Sequence, residues 1–321
     1  MMHEEFIIRK INTTNRPEGI SAYVRVRNGA ETLYLAIKSH IDLLDEIIIV
    51  YNQCLDNTED IIQKLINEYP NKIKGIKYKP IVYPVGSIQH KKLPENSVHS
   101  MVNYSNFALA QTKYKWVMIL DDDHILPSNL KNKEIILQPN TINFFSGINL
   151  SWQDYENKTI GINKIKPFAG NGDHYFFECT DNTYYKKNDI CEYLNFGNKR
   201  TTYHGIRYYH LKYLKKDFGF TNVLNTNRGK KQLEDIKKAP VVSIPEFQKG
   251  IKKVNYLNDR NNYLIDIFLS IPNWFNWKIK FLESIKPEAI SVQRIISLFN
   301  EIDQLFNKTD IKTIRNNFYD I

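Results

Sequence analysis

The chain has 321 residues, 42% of them hydrophobic, and a formal net charge of +9, enough for a buried core in one large or two small domains. Its three cysteines, Cys54, Cys179 and Cys191, have no CxxC spacing, which excludes a zinc ribbon or disulfide framework and points to a reducing compartment. The opening MMHEEFIIRKINTT lacks the apolar core of a signal peptide, and no run approaches the ~18 apolar residues of a spanning helix, so a cytoplasmic location is expected.

In chain order, ISAYVRVRNG (20–29) alternates and stops at Asn-Gly, as a strand ending in a turn does. AETLYLAIKSHIDLL (30–44) has Leu33, Ile37 and Ile41 on one helical stripe. DEIIIVYN (45–52) is a continuous apolar run, the mark of a strand buried on both faces. NTEDIIQKLINEYP (57–70) opens with capping residues and acids, and closes at Pro70. A strand over 73–85, a helix over 97–113 and a strand over 114–120 follow. This βαβαβαβ alternation predicts a parallel sheet with helices on both faces. Ligands of such sheets bind outside the carboxyl ends of the strands.

The centre, 140–250, mixes short strands with glycine-bearing loops such as FAGNGD, and 256–321 holds two or three amphipathic helices, of which 291–306 is the clearest. The positive charge is local. Residues 199–253 carry 14 Lys+Arg against 4 Asp+Glu, whereas 1–198 carry 22 against 23 and 254–321 carry 8 against 8. Such a segment is either a solvated face or a surface that meets phosphates, from a nucleotide or an anionic lipid.

The strand over 114–120 runs into Asp121, Asp122 and Asp123. Three adjacent carboxylates need a cation, and hard oxygen ligands suit Mg²⁺ or Mn²⁺ shared with substrate phosphates. In an extended segment Asp121 and Asp123 point one way and Asp122 the other, so Asp121 and Asp123 are expected to share one site. The same alternation argues against His124 acting with Asp123.

These segments resemble the nucleotide-sugar-dependent glycosyltransferases of the GT-A fold, and glycosyltransferase family 2 in particular. The resemblance is carried by VRNGAETLYLAIKS, VYNQCLDNTED, NYSNFALA and MILDDDHILP, in family order over residues 20–127. It implies an α/β fold: a GT-A (Rossmann-like), mostly parallel sheet flanked by helices, with a C-terminal helical extension. The catalytic domain would span 1–250, with a nucleotide-binding half (1–127) and an acceptor-binding half (128–250), and the extension 251–321.

The resemblance also implies a divalent metal (Mn²⁺ or Mg²⁺), a nucleoside-diphosphate sugar donor, UDP-linked by preference, and a glycan or lipid-linked glycan acceptor of a bacterial surface polysaccharide. Donor contacts fall on Arg27, Asn28, Tyr51, Asn52, Asp56, Asn106, Asp121 and Asp122. Metal ligands are Asp121, Asp123 and a later histidine, His210 in preference to His204, with Lys212 and Lys215 near the phosphates. Two departures bear on the nucleotide. Tyr51 and Asn52 stand where the family has an acidic base-reading residue, and Ser105 stands where it has an arginine.

An inverting transferase needs a carboxylate base, for which Asp173 and Glu192 are the candidates. NWFNWKIKF (273–281) either packs on the catalytic domain or touches an anionic membrane at the inner face. The competing activities are a nucleotidyltransferase, for which RVRNGAET is a poor phosphate loop, and a non-catalytic nucleotide-binding relative. The aspartates would repel a nucleic-acid backbone, so no nucleic-acid partner is expected.

Overall fold

The computed structural model describes residues 4–8, 10–130, 137, 139–163, 167–169, 174–188, 191–197, 199–219, 227–248, 306 and 308–318. The first half runs Ile20–Val26 (β1), Leu33–His40 (α1), Glu46–Tyr51 (β2), Thr58–Glu68 (α2), Ile73–Lys77 (β3), Ile88–Lys92 (α3), Met101–Ala110 (α4) and Trp116–Ile119 (β4). β2 and β3 lie parallel on one side of β1, and β4 lies parallel on the other. The strands are apolar on both faces because both are covered. Ala22 and Val24 of β1 and Ile47 and Ile49 of β2 pack with Leu33 and Ile37 of α1 and with Ile62 and Leu65 of α2. Tyr23, Ile48 and Val50 pack on the opposite face with Val102 and Phe107 of α4.

Local chemistry sets the boundaries. Glu59 and Asp60 occupy the first turn of α2, where the helix dipole favours acids. Ser100 caps α4 by accepting from the Val102 amide at 3.2 Å. β3 is shorter than the expected 73–85, since Pro80 and Pro84 bring no amide donor to a sheet. The short α3 has no counterpart in the sequence reading.

The second half adds His124–Ile125 (β5), Thr141–Asp154 (β6), Thr159–Asn163 (β7), Phe168–Ala169 (β8), Tyr175–Glu178 (β9), Tyr184–Lys187 (β10), Glu192–Asn195 (β11), Arg200–Tyr213 (β12), Asn227–Lys237 (α5), Val241–Ser243 (β13) and Lys308–Asn317 (α6). The main sheet follows the order β13-β7-β6-β9-β4-β1-β2-β3, with β12 paired to β5 and β6, and β8 to β6; β10 and β11 form a separate hairpin. The parallel arrangement therefore holds for β1 to β4. Beyond it β9 joins β4 to β6 by antiparallel pairing, and β12 runs parallel to β6. The result is a mixed α/β sheet flanked by helices, the GT-A type of arrangement.

The described part of the C-terminal region, α6, packs on this sheet. Ile314 is buried, Phe318 meets Trp152 edge to face at 5.5 Å, and Asp310 accepts from the Ser128 amide at 3.0 Å. The helix expected at 291–306 falls almost wholly, and the aromatic stretch 273–281 wholly, outside the described residues. Among the described residues no helix is long and apolar enough to cross a membrane.

Candidate active site

The carboxyl ends of β1, β2 and β4 lie on one edge of the sheet, and a cavity of about 260 Å³ opens there. β1 and the turn after it contribute Arg25, Arg27 and Asn28 to its wall, the turn after β4 contributes Asp121, Asp122 and Asp123, and the end of β12 with the turn after it contributes His210, Lys212 and Lys215. The turn after β1 is tied down from β2's side. Asn28, in the left-handed region at φ 55°, accepts from the Leu55 amide at 2.7 Å, and Gly29 donates to Thr58 Oγ1 at 2.8 Å. Gly29 also leaves room for the aspartates: a β-carbon there would fall 2.6 Å from Asp122 Oδ2.

The three aspartates do not continue the strand. They form a turn closed by the His124 amide on the Asp121 carbonyl at 3.4 Å, so strand alternation does not apply to them. Asp121 and Asp123 both line the cavity, and Asp122 and Asp123 share a partner: Lys215 Nζ lies 2.9 Å from Asp122 Oδ2 and 2.9 Å from Asp123 Oδ2. Burial raises the Asp122 carboxyl above its ordinary range in spite of Lys215, and the neighbouring Asp123 adds to the rise. Burial also opposes ionisation of Asp123, but Lys215 and His210 outweigh it and hold that carboxyl well below the usual range. Lys215, desolvated but facing both carboxylates, is held above its ordinary value.

The other oxygen of Asp123 faces imidazoles. Oδ1 lies 3.4 Å from His210 Nε2 and 3.8 Å from His124 Nε2. His210 Nδ1 donates to Asn149 Oδ1 at 2.6 Å, which turns Nε2 toward Asp123. Only a proton or a metal ion can sit favourably between Nε2 and a carboxylate oxygen. The donor atoms of Asp123, His124 and His210 all lie within 4.8 Å of one another. One carboxylate and two imidazoles fit a divalent ion that tolerates nitrogen, so these residues suit the metal that the resemblance implies. The expectation that His124 stands apart from Asp123 is thus corrected.

Behind Asp123 the interior is lined with histidine. His124 stacks on His174 at 5.3 Å, His174 stacks on Tyr208 at 4.6 Å, and His40 lies 5.5 Å from His174. All are buried. Burial holds His124 well below its ordinary pKa, with His210 adding to the effect, and burial does the same to His174, helped by His124 and His40. His204, the alternative ligand, is elsewhere: it bonds Asn143 at 2.8 Å and stacks on Phe145.

Several expected donor contacts are turned away from the cavity. Asn52 is buried, and its amide donates to the carbonyls of Tyr78 and Pro80 at 2.7 and 2.6 Å. Asp56 accepts from the Ala30 and Thr58 amides, both at 3.1 Å, and so braces the turn after β1. Asn106 is bonded in both directions to the backbone of Tyr185. Tyr51, half-buried at the end of β2, has Lys77 over its ring at 5.9 Å and does not line the cavity.

Arg25 stands beside Ser105. Its guanidinium reaches Ser105 Oγ and pairs with Glu192 at 2.8 Å, so β1 brings arginine charge up to α4. A charged residue inside the strand pattern YVRVR was a visible signal for it; Asn149 and the histidine stack had none. Glu192 lies on β11 with one carboxylate oxygen committed to Arg25. Asp173 lies outside the described residues.

Among solved structures the chain is similar to a mycobacterial protein (16% identity over 43% of this chain and 41% of that one, TM-score 0.25). It is also similar to glucosyl-3-phosphoglycerate synthase from Mycobacterium tuberculosis, in complexes with Mn²⁺, UDP-glucose and phosphoglyceric acid (17% identity, 43% and 44%, TM-score 0.24) and with UDP (14% identity, 52% and 58%, TM-score 0.25). The chain thus spans about half the length of these structures. No curated protein matches it. The family described as Beta-1,4-N-acetylgalactosaminyltransferase (CgtA) matches over residues 9–269, most of the chain. With β1 to β4, the aspartate turn and His210 all inside the matched range, the chain belongs to that family.

Proposed function

We propose that this chain transfers a sugar, N-acetylgalactosamine by the family's description, from a UDP-linked donor to a hydroxyl of a bacterial surface-glycan precursor. The observation that carries this reading is the meeting of Asp123, His210 and Lys215 in a cavity that Arg27 and Lys212 also line. Carboxylate and imidazole suit a divalent ion, and the cations suit a diphosphate.

Asp123 and His210 would hold the Mn²⁺ or Mg²⁺ ion, which supplies Lewis-acid charge to the departing diphosphate when bound. Asp121 serves the ribose, and Arg27 with Lys212 the phosphate oxygens. A β-linked product from an α-linked nucleotide sugar requires inversion. The acceptor oxygen attacks the anomeric carbon as its bond to phosphate breaks, and the acceptor proton passes to a carboxylate. Glu192 has one carboxylate oxygen engaged by Arg25, so Asp173 is taken as the base. Its chain neighbour His174 packs against His124.

The test is release of UDP from UDP-N-acetylgalactosamine, alongside UDP-glucose and GDP- and CMP-sugars, with Mn²⁺ and with water as a slow acceptor. Turnover of one donor that is abolished by EDTA and by Asp123→Ala is expected. Loss of turnover in Asp173→Asn with retention in Glu192→Gln would assign the base. A protein that binds no nucleotide in the presence of metal would sink the reading.

A further inference from the structure

We infer that His124 is a third protein ligand of the metal ion, so that the site holds Mn²⁺ without any nucleotide and selects it over Mg²⁺. The inference rests on the metal site proposed above and adds to it a residue that strand alternation would exclude.

Topology puts His124 there. β5 and β12 run antiparallel with His124 directly opposite His210, so the two imidazoles leave the sheet side by side. The Leu211 amide donates to the Asp123 carbonyl at 2.9 Å and locks that register beside the carboxylate. Asp123 then divides its two oxygens: Oδ2 serves Lys215 at 2.9 Å, and Oδ1 faces His210 Nε2 at 3.4 Å and His124 Nε2 at 3.8 Å. Ligand atoms about 2.1 Å from a shared ion, at octahedral to tetrahedral angles, lie roughly 3.0–3.4 Å apart. His210 already meets that spacing from Asp123 Oδ1, His124 lies a few tenths of an ångström beyond it, and the three donor atoms lie within 4.8 Å of one another, so His124 must move toward the ion. Lys215 does not have to leave.

His124 has no other explanation as a polar residue. It is 0% exposed, and neither ring nitrogen has a hydrogen-bond partner. A buried polar group left unpaired costs about 1–3 kcal/mol, and in native interiors such a group calls for an unseen ion or water. A phenyl ring would fill the same space between Tyr208 at 4.3 Å and His174 at 5.3 Å without that cost. Those two rings instead hold the imidazole's orientation, as packing around a metal ligand must.

The consequence is a difference in selectivity. Mg²⁺ prefers oxygen ligands and keeps several waters, whereas imidazole suits more nitrogen-tolerant ions. One carboxylate and two imidazoles therefore favour Mn²⁺, and three protein ligands leave open positions for diphosphate oxygens.

The test uses the full chain stripped with EDTA and titrated with Mn²⁺ by electron paramagnetic resonance, without nucleotide and then with UDP. In the unmodified protein we expect one bound ion before UDP is added, with spin-echo modulation from two coordinated nitrogens. His124→Asn should weaken nucleotide-free Mn²⁺ binding by at least about tenfold and let Mg²⁺ compete better. One coordinated nitrogen in the unmodified protein overturns the inference, whether or not the variant folds, and leaves the metal site of Asp123 and His210 standing. Unchanged affinity in His124→Asn overturns it as well. Failure to bind Mn²⁺ with or without UDP overturns the metal-dependent reading itself.

Discussion

At the scale of the residue, the site is a balance of charges within hydrogen-bond reach. Lys215 separates two buried carboxylates, and removing one member of such a set costs more than the set contributes. We expect Lys215→Met to lower the stability of the metal-free protein by about 3–5 kcal/mol, measured by urea unfolding at neutral pH. Because a dication can take over part of the ammonium's task, Mn²⁺ should stabilise this variant more than the unmodified protein; equal gains would show that the ion binds elsewhere. Asn149 acts one step away. Its carbonyl oxygen fixes which nitrogen of His210 faces Asp123, so Asn149→Leu should reduce Mn²⁺ affinity about 10–100-fold while the fold is retained by circular dichroism.

At the scale of the element, close packing between β6 and β12 decides where the histidines stand. Gly147 of β6 pairs with Tyr208 of β12, and a β-carbon at 147 would fall inside contact distance of the Tyr208 ring. That ring is the surface on which His124 and His174 lie. Gly147→Ala should therefore cost about 1–3 kcal/mol as an overpacked core and also weaken Mn²⁺ binding. A stability loss with metal affinity intact would separate the stack from the site. The strands and helices of the first half were legible because they carry local signals: apolar runs in β2 and β4, a stripe in α1 and capping residues before α2. α3 and the two-residue β5 were not, being too short to show a period.

At the scale of the whole molecule, the histidine stack makes stability depend on pH. His124 and His174 are held neutral in the fold, below the ordinary value of 6.5. The unfolded chain takes up protons below about pH 6.5 and the folded chain does not, so the unfolded state binds more protons there. Stability is full above that pH and falls as pH drops below it, by up to about 1.4 kcal/mol per histidine for each pH unit. Melting temperatures in EDTA should thus decline from pH 7 to pH 5, and His174→Phe should flatten the decline. A profile unchanged by that substitution would place the titration elsewhere. The excess positive charge of 199–253 also takes shape at this scale, since its Lys212 and Lys215 stand at the mouth of the aspartate turn.

The alternation of apolar strands and amphipathic helices, and three carboxylates at a strand end, were enough to anticipate a parallel sheet covered by helices on both faces and an edge where buried carboxylates need a counter-charge. Those features are local in the chain, and short-range periodicity reports them. The partners of the carboxylates were decided by tertiary structure. The turn at 121–123 breaks the alternation that extended backbone would impose. Antiparallel pairing of β5 with β12 sets His124 beside His210, and the sheet gathers His40, His174, Asn149 and Arg25 from distant strands and helices. No sequence period links such residues, because their proximity comes from strand order, and strand order is set by how the whole sheet buries its two faces.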